Sequence, residues 1–227
     1  MTLLENYKSL RLIGNAENIQ QMLQGQLTSD IYEVTESYSQ LSAMCDEKGF
    51  VIADMFVSKE REDYLLTLHE SLVDTVSTEL ERYLPFYKVS CEIDSRLVIG
   101  IIRDNIDKHR YFKNKQKSFG LEFLSTAPSD IKSVQEWKLL HWQQGIYFLQ
   151  DFIKQGLRPQ EIGFEENRIS FSKGCYRGQE IIARMHYLNK KKILTSLMSS
   201  EEKPEDKKIL SEIILHENLY WFLQKSK

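Results

Sequence analysis

The chain has 227 residues, 41% of them hydrophobic, enough to bury a sizeable core as one large domain or two closely packed lobes. Three widely spaced cysteines (Cys45, Cys91 and Cys175) form no C-x-x-C pair, which excludes a disulfide framework and a self-contained zinc site. A formal charge of −3 argues against a dedicated nucleic-acid binder, and no apolar run is long enough to span a bilayer. With no signal-peptide pattern at the N-terminus, a soluble cytoplasmic protein with reduced thiols and no membrane partner is expected.

Leu10 to Ile13 reads as a strand ending at Gly14, followed by a short helix through Met22 and Leu23, with Asn15 or Asn18 as its cap. Residues 38–45 and 50–57 are β-prone runs around Asp46-Glu47-Lys48-Gly49, which predicts a hairpin. Tyr64 to Leu68 continues as a third strand. Leu72, Val73, Val76, Leu80 and Tyr83 recur at helical spacing and predict a helix stopping at Pro85. Strands are expected at 86–93 and 97–102. Residues 103–130 are polar, break at Ala127-Pro128-Ser129-Asp130, and read as a connection between lobes. Val134, Trp137, Leu140 and His141 mark a helix leading to Gly145, and residues 158–167 read as loop. Ser199 to Asp206 is a charged turn before two short apolar stretches, Ile209 to Leu215 and Leu219 to Leu223. This order predicts an α+β architecture with a mostly antiparallel sheet.

Between the last two regions lies Lys173-Gly174-Cys175-Tyr176-Arg177-Gly178-Gln179-Glu180, running into a helix-like Ile181 to His186. Two glycines around one cysteine indicate a turn with positive φ or a close approach. Lys173, Arg177 and a following helix start give the Cys175 thiol a physical route to a lowered pKa. A tight turn around a buried cysteine is the alternative. Lys173, Arg177, Arg184 and Lys190 to Lys192 make this region locally basic, with Glu180 opposing. A second basic cluster, Arg103, Lys108, Arg110, Lys113, Lys115 and Lys117, reads as a solvated face.

At Lys173 to Glu180 the chain resembles the YgfZ family of folate-binding, tRNA-modifying proteins, whose signature is K-G-C-[YF]-x-G-Q-E. That family is related to the aminomethyltransferase T-protein of the glycine cleavage system. Ile169 to Ser172 is similar to the I-S-F-x leading into the signature. Met22 to Ile31 is similar to F-L-Q-G-Q-x-T-x-D-[IV], and Cys45 to Gly49 to the C-D-x-K-G hairpin. The resemblance covers residues 5–58 and 131–195 well and the middle loosely.

The resemblance implies a T-protein-like folate-binding fold over residues 1–195, with lobes of roughly 1–35 plus 131–195 and 36–130. Too few residues follow for the family's C-terminal β-barrel, so 196–227 is expected as a reduced lobe, or the lobe is absent. It implies tetrahydrofolate as ligand, iron–sulfur enzymes or assembly factors as partners, and an indirect effect on tRNA. The protein is then a non-classical, transferase-like accessory factor. A glycine-cleavage-type aminomethyltransferase and a direct tRNA-modifying protein are the alternatives.

Cys175 becomes the expected nucleophile, sulfur carrier or transient cluster ligand, supported by Lys173, which would pair with Glu180 or hold an anionic glutamyl tail. Trp137 falls where the family carries a ligand-stacking tryptophan, and Tyr7 where relatives carry another pocket aromatic. Asp30 would line the pocket or satisfy a turn. Gln179 and Glu180 would cap the helix or touch the ligand. Arg184 would touch the ligand or pair with Glu180 four residues earlier.

Overall fold

The computed structural model describes residues 1–113, 115–154, 156–188, 195–205 and 209–225. The chain opens with β1 (Thr2–Leu3), β2 (Tyr7–Ile13) and α1 (Ala16–Gln26). Asn15 caps α1 by accepting from the Glu17 and Asn18 amides, and Ala16, Ile19, Met22 and Leu23 give it one buried stripe. The expected hairpin is β3 (Gln40–Cys45) and β4 (Val51–Glu60), followed by β5 (Asp63–His69) and α2 (Val73–Glu81). Pro85 does not close this helix. It sits in the first turn of a separate α3 (Leu84–Tyr87), where its missing N–H has no intrahelical partner to lose. The strand expected at 86–93 is correspondingly the shorter β6 (Ser90–Asp94), and β7 (Leu97–Arg103) follows.

Residues 103–130 depart from the expected linker: they contain β8 (Arg110–Lys113) and β9 (Ser118–Leu124), which pair antiparallel. Tyr111, Phe119 and Leu121 are buried there, and the surrounding lysines mask their alternation. Next come α4 (Val134–Trp142), 3-10 turns at Pro159–Ile162 and Phe164–Glu166, α5 (Gln179–Leu188), β10 (Thr195–Ser200), β11 (Ile214–His216) and β12 (Leu219–Lys225).

Three antiparallel sheets result, in the orders β3-β4-β5-β2-β6, β1-β7-β9-β8 and β10-β12-β11. The α+β expectation therefore holds. The C-terminal lobe is a small three-stranded sheet, and the described residues close no barrel. β2 lies inside the sheet of residues 40–94, because Leu10 and Leu12 must be covered by the same helices that cover β4 and β5.

β3 and β4 form the wall common to three cores. Met44, Ala53, Met55 and Val57 face α1 and α2. Ala43, Cys45 and Val51 face Tyr176 and Ile182, and Leu41 and Phe56 face Trp137, Phe148 and Phe119. Cys45 is buried, as its apolar strand pattern indicates, while Cys91 is half-buried on the edge strand β6. Among the described residues, no helix is long and apolar enough to cross a membrane.

Candidate functional site

The segments that carry the sequence motifs, far apart in the chain, meet in one place. The Ser170 amide donates to the Thr28 carbonyl at 2.9 Å, and the Arg177 amide donates to the Gly25 carbonyl at 3.1 Å. Thr28 Oγ1 donates to the Arg168 carbonyl at 2.7 Å and accepts from the Ala43 amide at 3.0 Å. Lys173 Nζ closes the zipper by donating to the carbonyls of Leu27 and Ser29, each at 2.7 Å. Burial pushes the Lys173 pKa down to about 8.

The hairpin and the signature lock through glycine. Gly178 has φ +78°, and a Cβ there would collide with the Asp46 carbonyl and crowd Cys45 and Gly49. Gly49, at φ +75°, rests on Ile181 of α5. Asp46 Oδ1 holds that hairpin turn by accepting from the Lys48 and Phe50 amides, both at 2.9 Å. Gly178→Ala combines left-handed strain with overpacking and is expected to destabilise the protein by about 2–4 kcal/mol in urea denaturation. A midpoint equal to wild type would show that the two turns do not depend on each other.

This scaffold presents Cys175 on an exposed stretch. Its surroundings differ from expectation in two respects. Lys173 is held by backbone carbonyls rather than by Glu180, and Arg177 is held by Glu47 at 2.8 Å and Glu79 at 2.5 Å. Both nearby cations are thus engaged elsewhere, because the loop is tied down through them. The helix begins at Gln179, whose Oε1 accepts from the Tyr176 amide at 3.2 Å, a capping role. Glu180 and Arg184 are exposed, and no ion pair joins them. The surrounding region is less basic than its composition, and Lys190 to Lys192 lie outside the described residues. In the second basic cluster Arg103 pairs with Glu122 at 3.7 Å and Lys117 with Asp104 at 2.6 Å.

The pocket residues expected together divide between two cavities. Tyr7 and Trp137 line one of about 290 Å³ with Phe148, Asp151, Lys138 and Glu212. Asp30 lines another of about 470 Å³, with Glu33, Tyr38, Tyr111, Arg168 and Phe171. Asp30 also serves its turn, accepting from Gln24 Nε2 at 3.0 Å and from the Tyr32 amide at 3.2 Å. Lys173, Cys175, Gln179, Glu180 and Arg184 line neither cavity.

Trp137 is only 3% exposed and lies nearly parallel to Phe148, with ring centroids 5.4 Å apart and planes at 17°. Its Nε1 sits against Gly100 of β7, where any side chain would collide with it. His141 Nδ1 donates to the Trp137 carbonyl at 2.6 Å, so its Nε2 must accept from the Tyr111 hydroxyl, also at 2.6 Å. Burial drops the His141 pKa to about 3, keeping it neutral.

Charged groups that the sequence did not single out stand at both cavities, Arg168 at one and Lys138 and Asp151 at the other. Arg168 is 1% exposed, donates to the Tyr147 carbonyl at 2.6 Å, and lies 3.6 Å from Asp54. Its guanidinium also lies over Phe148 and Phe164. Burial raises Asp54 to about 6 despite Arg168, and burial likewise raises Asp151. Asp151 Oδ2 accepts from Trp142 Nε1 at 2.7 Å and from the Phe148 amide at 2.8 Å, with Lys138 Nζ 3.0 Å from Oδ1. The only sequence signal for Asp54 is a carboxylate inside the apolar run Val51 to Val57.

The Tyr7–Trp137 cavity is aromatic on its walls and acidic in charge. Trp137 Nε1 and Gln150 Nε2, both on lining residues, are buried donors without hydrogen-bond partners. Such a cavity suits a flat heterocycle rich in N–H donors and ring acceptors.

No protein-family model matches the chain. An uncharacterized protein of Haemophilus influenzae is 29% identical over 230 residues, covering 96% of this chain and 79% of that protein. A tRNA-modifying protein YgfZ of Vibrio atlanticus is 28% identical over 227 residues, covering 85% of this chain and 68% of that protein. Among solved structures, the glycine cleavage system aminomethyltransferase T from Bartonella henselae matches with a TM-score of 0.69 at 10% identity. That match covers 99% of this chain and 77% of the other.

Proposed function

From a chain YgfZ-like in sequence and aminomethyltransferase T-like in fold, we propose a folate-binding accessory protein that supports iron–sulfur cluster assembly or repair and thereby tRNA modification. The observation that carries the reading is the cavity lined together by the rings of Tyr7, Trp137 and Phe148 and by Asp151, whose carboxylate is buried. A pterin presents a flat ring and an edge of amino and ring N–H donors, the chemistry that an aromatic wall and a carboxylate accept. The unpartnered Gln150 side-chain amide, on a lining residue, suits a ring acceptor. Tetrahydrofolate is the ligand this reading assigns to the cavity, and it would supply one-carbon chemistry when bound.

Cys175 is the contact with the partner. Its thiol stands exposed on a loop fixed on one side by Lys173 and on the other by Tyr176, Arg177 and Gly178. A thiolate there is a nucleophile, and it is equally a soft ligand for a cluster passing to a client enzyme. A cytoplasmic setting keeps such a thiol reduced.

The reading is tested in a strain lacking the protein, by assaying iron–sulfur enzyme activities and modified tRNA nucleosides together. Both should fall and both should return with the wild-type chain. Unchanged values for both would overturn the reading. Glycine-dependent aminomethyl transfer by the purified chain would replace it with the enzymatic alternative.

A further inference from the structure

Lys138 and Glu212 form an ion pair on the lining of the Tyr7–Trp137 cavity. The two partners are unlike in burial. The Lys138 side chain is 18% exposed, lies over the Trp142 ring and is held from within by Asp151. The Glu212 side chain is 61% exposed and comes from the C-terminal lobe. Glu212 also lines an open groove of about 700 Å³ along that lobe, so it stands between cavity and groove.

The backbone around Glu212 is fixed. The Ile153 amide donates to the Leu210 carbonyl at 2.8 Å, the Leu223 amide donates to Ser211 Oγ at 2.8 Å, and Ser211 bridges to Phe152. Only the exposed side chain has to turn for Glu212 to leave Lys138.

We propose that Glu212 is an internal stand-in for a ligand carboxylate: it covers the mouth on Lys138 until a ligand with a flat head and a carboxylate-bearing tail displaces it. Turning Glu212 away leaves the largely buried Lys138 ammonium with Asp151 as its one remaining carboxylate partner, and the lost outer ion pair is a cost that a second carboxylate offsets. A ligand carboxylate crossing the mouth restores the ion pair, while the displaced Glu212 carboxylate is taken up by solvent. A heterocycle without a tail fills the cavity but leaves the exchange incomplete. Lys138 is thus the specificity-determining residue for the tail and Glu212 its competitor. This rests on the pterin reading of the same cavity.

The test is calorimetric titration of the full chain and its variants with tetrahydrofolate and with a tetrahydropterin lacking the tail. Glu212→Gln should bind tetrahydrofolate about fivefold more tightly than wild type, the scale of one lost competing ion pair. The tail-less pterin should bind both proteins equally, and Lys138→Met should weaken tetrahydrofolate selectively. Equal tetrahydrofolate affinity in wild type and Glu212→Gln would overturn the exchange while leaving the pterin reading intact. An equal gain for the tail-less pterin would also overturn it, making Glu212 a plain plug. Failure of both ligands to bind any of the proteins would overturn this inference together with the pterin reading.

Discussion

Cys175→Ser is expected to fold and melt as wild type does, yet to give no recovery of iron–sulfur enzyme activity in a strain lacking the protein. The stability half follows from position. Cys175 is exposed, and the space beside the neighbouring Gly174 is open. Exchanging sulfur for oxygen at such a site changes stability by within about 0.5 kcal/mol. The functional half follows from chemistry. A serine hydroxyl neither ionises near neutral pH nor binds soft metal ions as a thiolate does. The loop itself is held by Lys173, Tyr176, Arg177 and Gly178, so its shape survives the change. Full rescue by the serine variant would remove the thiol from the mechanism.

The second large effect is on stability. Arg168→Met should cost about 3–5 kcal/mol at pH 7, because it leaves the Asp54 carboxylate buried without its opposite charge. The loss should shrink as pH falls. Asp54 in the folded wild type already sits near 6, above its unfolded value, so the folded state holds its proton more tightly. Ionisation on raising the pH through that value lowers stability, and more so once the guanidinium is gone. At pH 5 the carboxyl is largely neutral and the charge deficit is relieved. The share due to the hydrogen bond to the Tyr147 carbonyl persists at every pH. Urea midpoints at pH 7 and pH 5 measure this. A deficit independent of pH would assign the effect to packing, and Arg168→Met combined with Asp54→Asn should recover part of the loss.

What the sequence disclosed was local. The Asp46–Gly49 turn, the strands flanking it and the helix after Gly178 were legible because each depends on neighbouring residue types. The motif resemblance located the segments that converge around Thr28 and Lys173, but not how they converge. The partners of Lys173 are backbone carbonyls at Leu27 and Ser29, which no side-chain pattern can reveal. The same holds for Arg168, whose role depends on Asp54 reaching it across the core. The β8–β9 hairpin was hidden by the lysines around its short strands, Lys108, Lys113, Lys115 and Lys117. Trp137 and Asp30 look alike as pocket residues in the sequence, and chain topology alone sends them to different cavities.

The central claim is that the space beside Tyr7, Trp137 and Asp151 holds a reduced folate. Calorimetric titration of the purified wild-type chain with tetrahydrofolate tests it most directly. Saturable binding of one equivalent, accompanied by a change in tryptophan fluorescence, is the predicted result. A flat titration at millimolar ligand, with the protein shown to be folded, would contradict it.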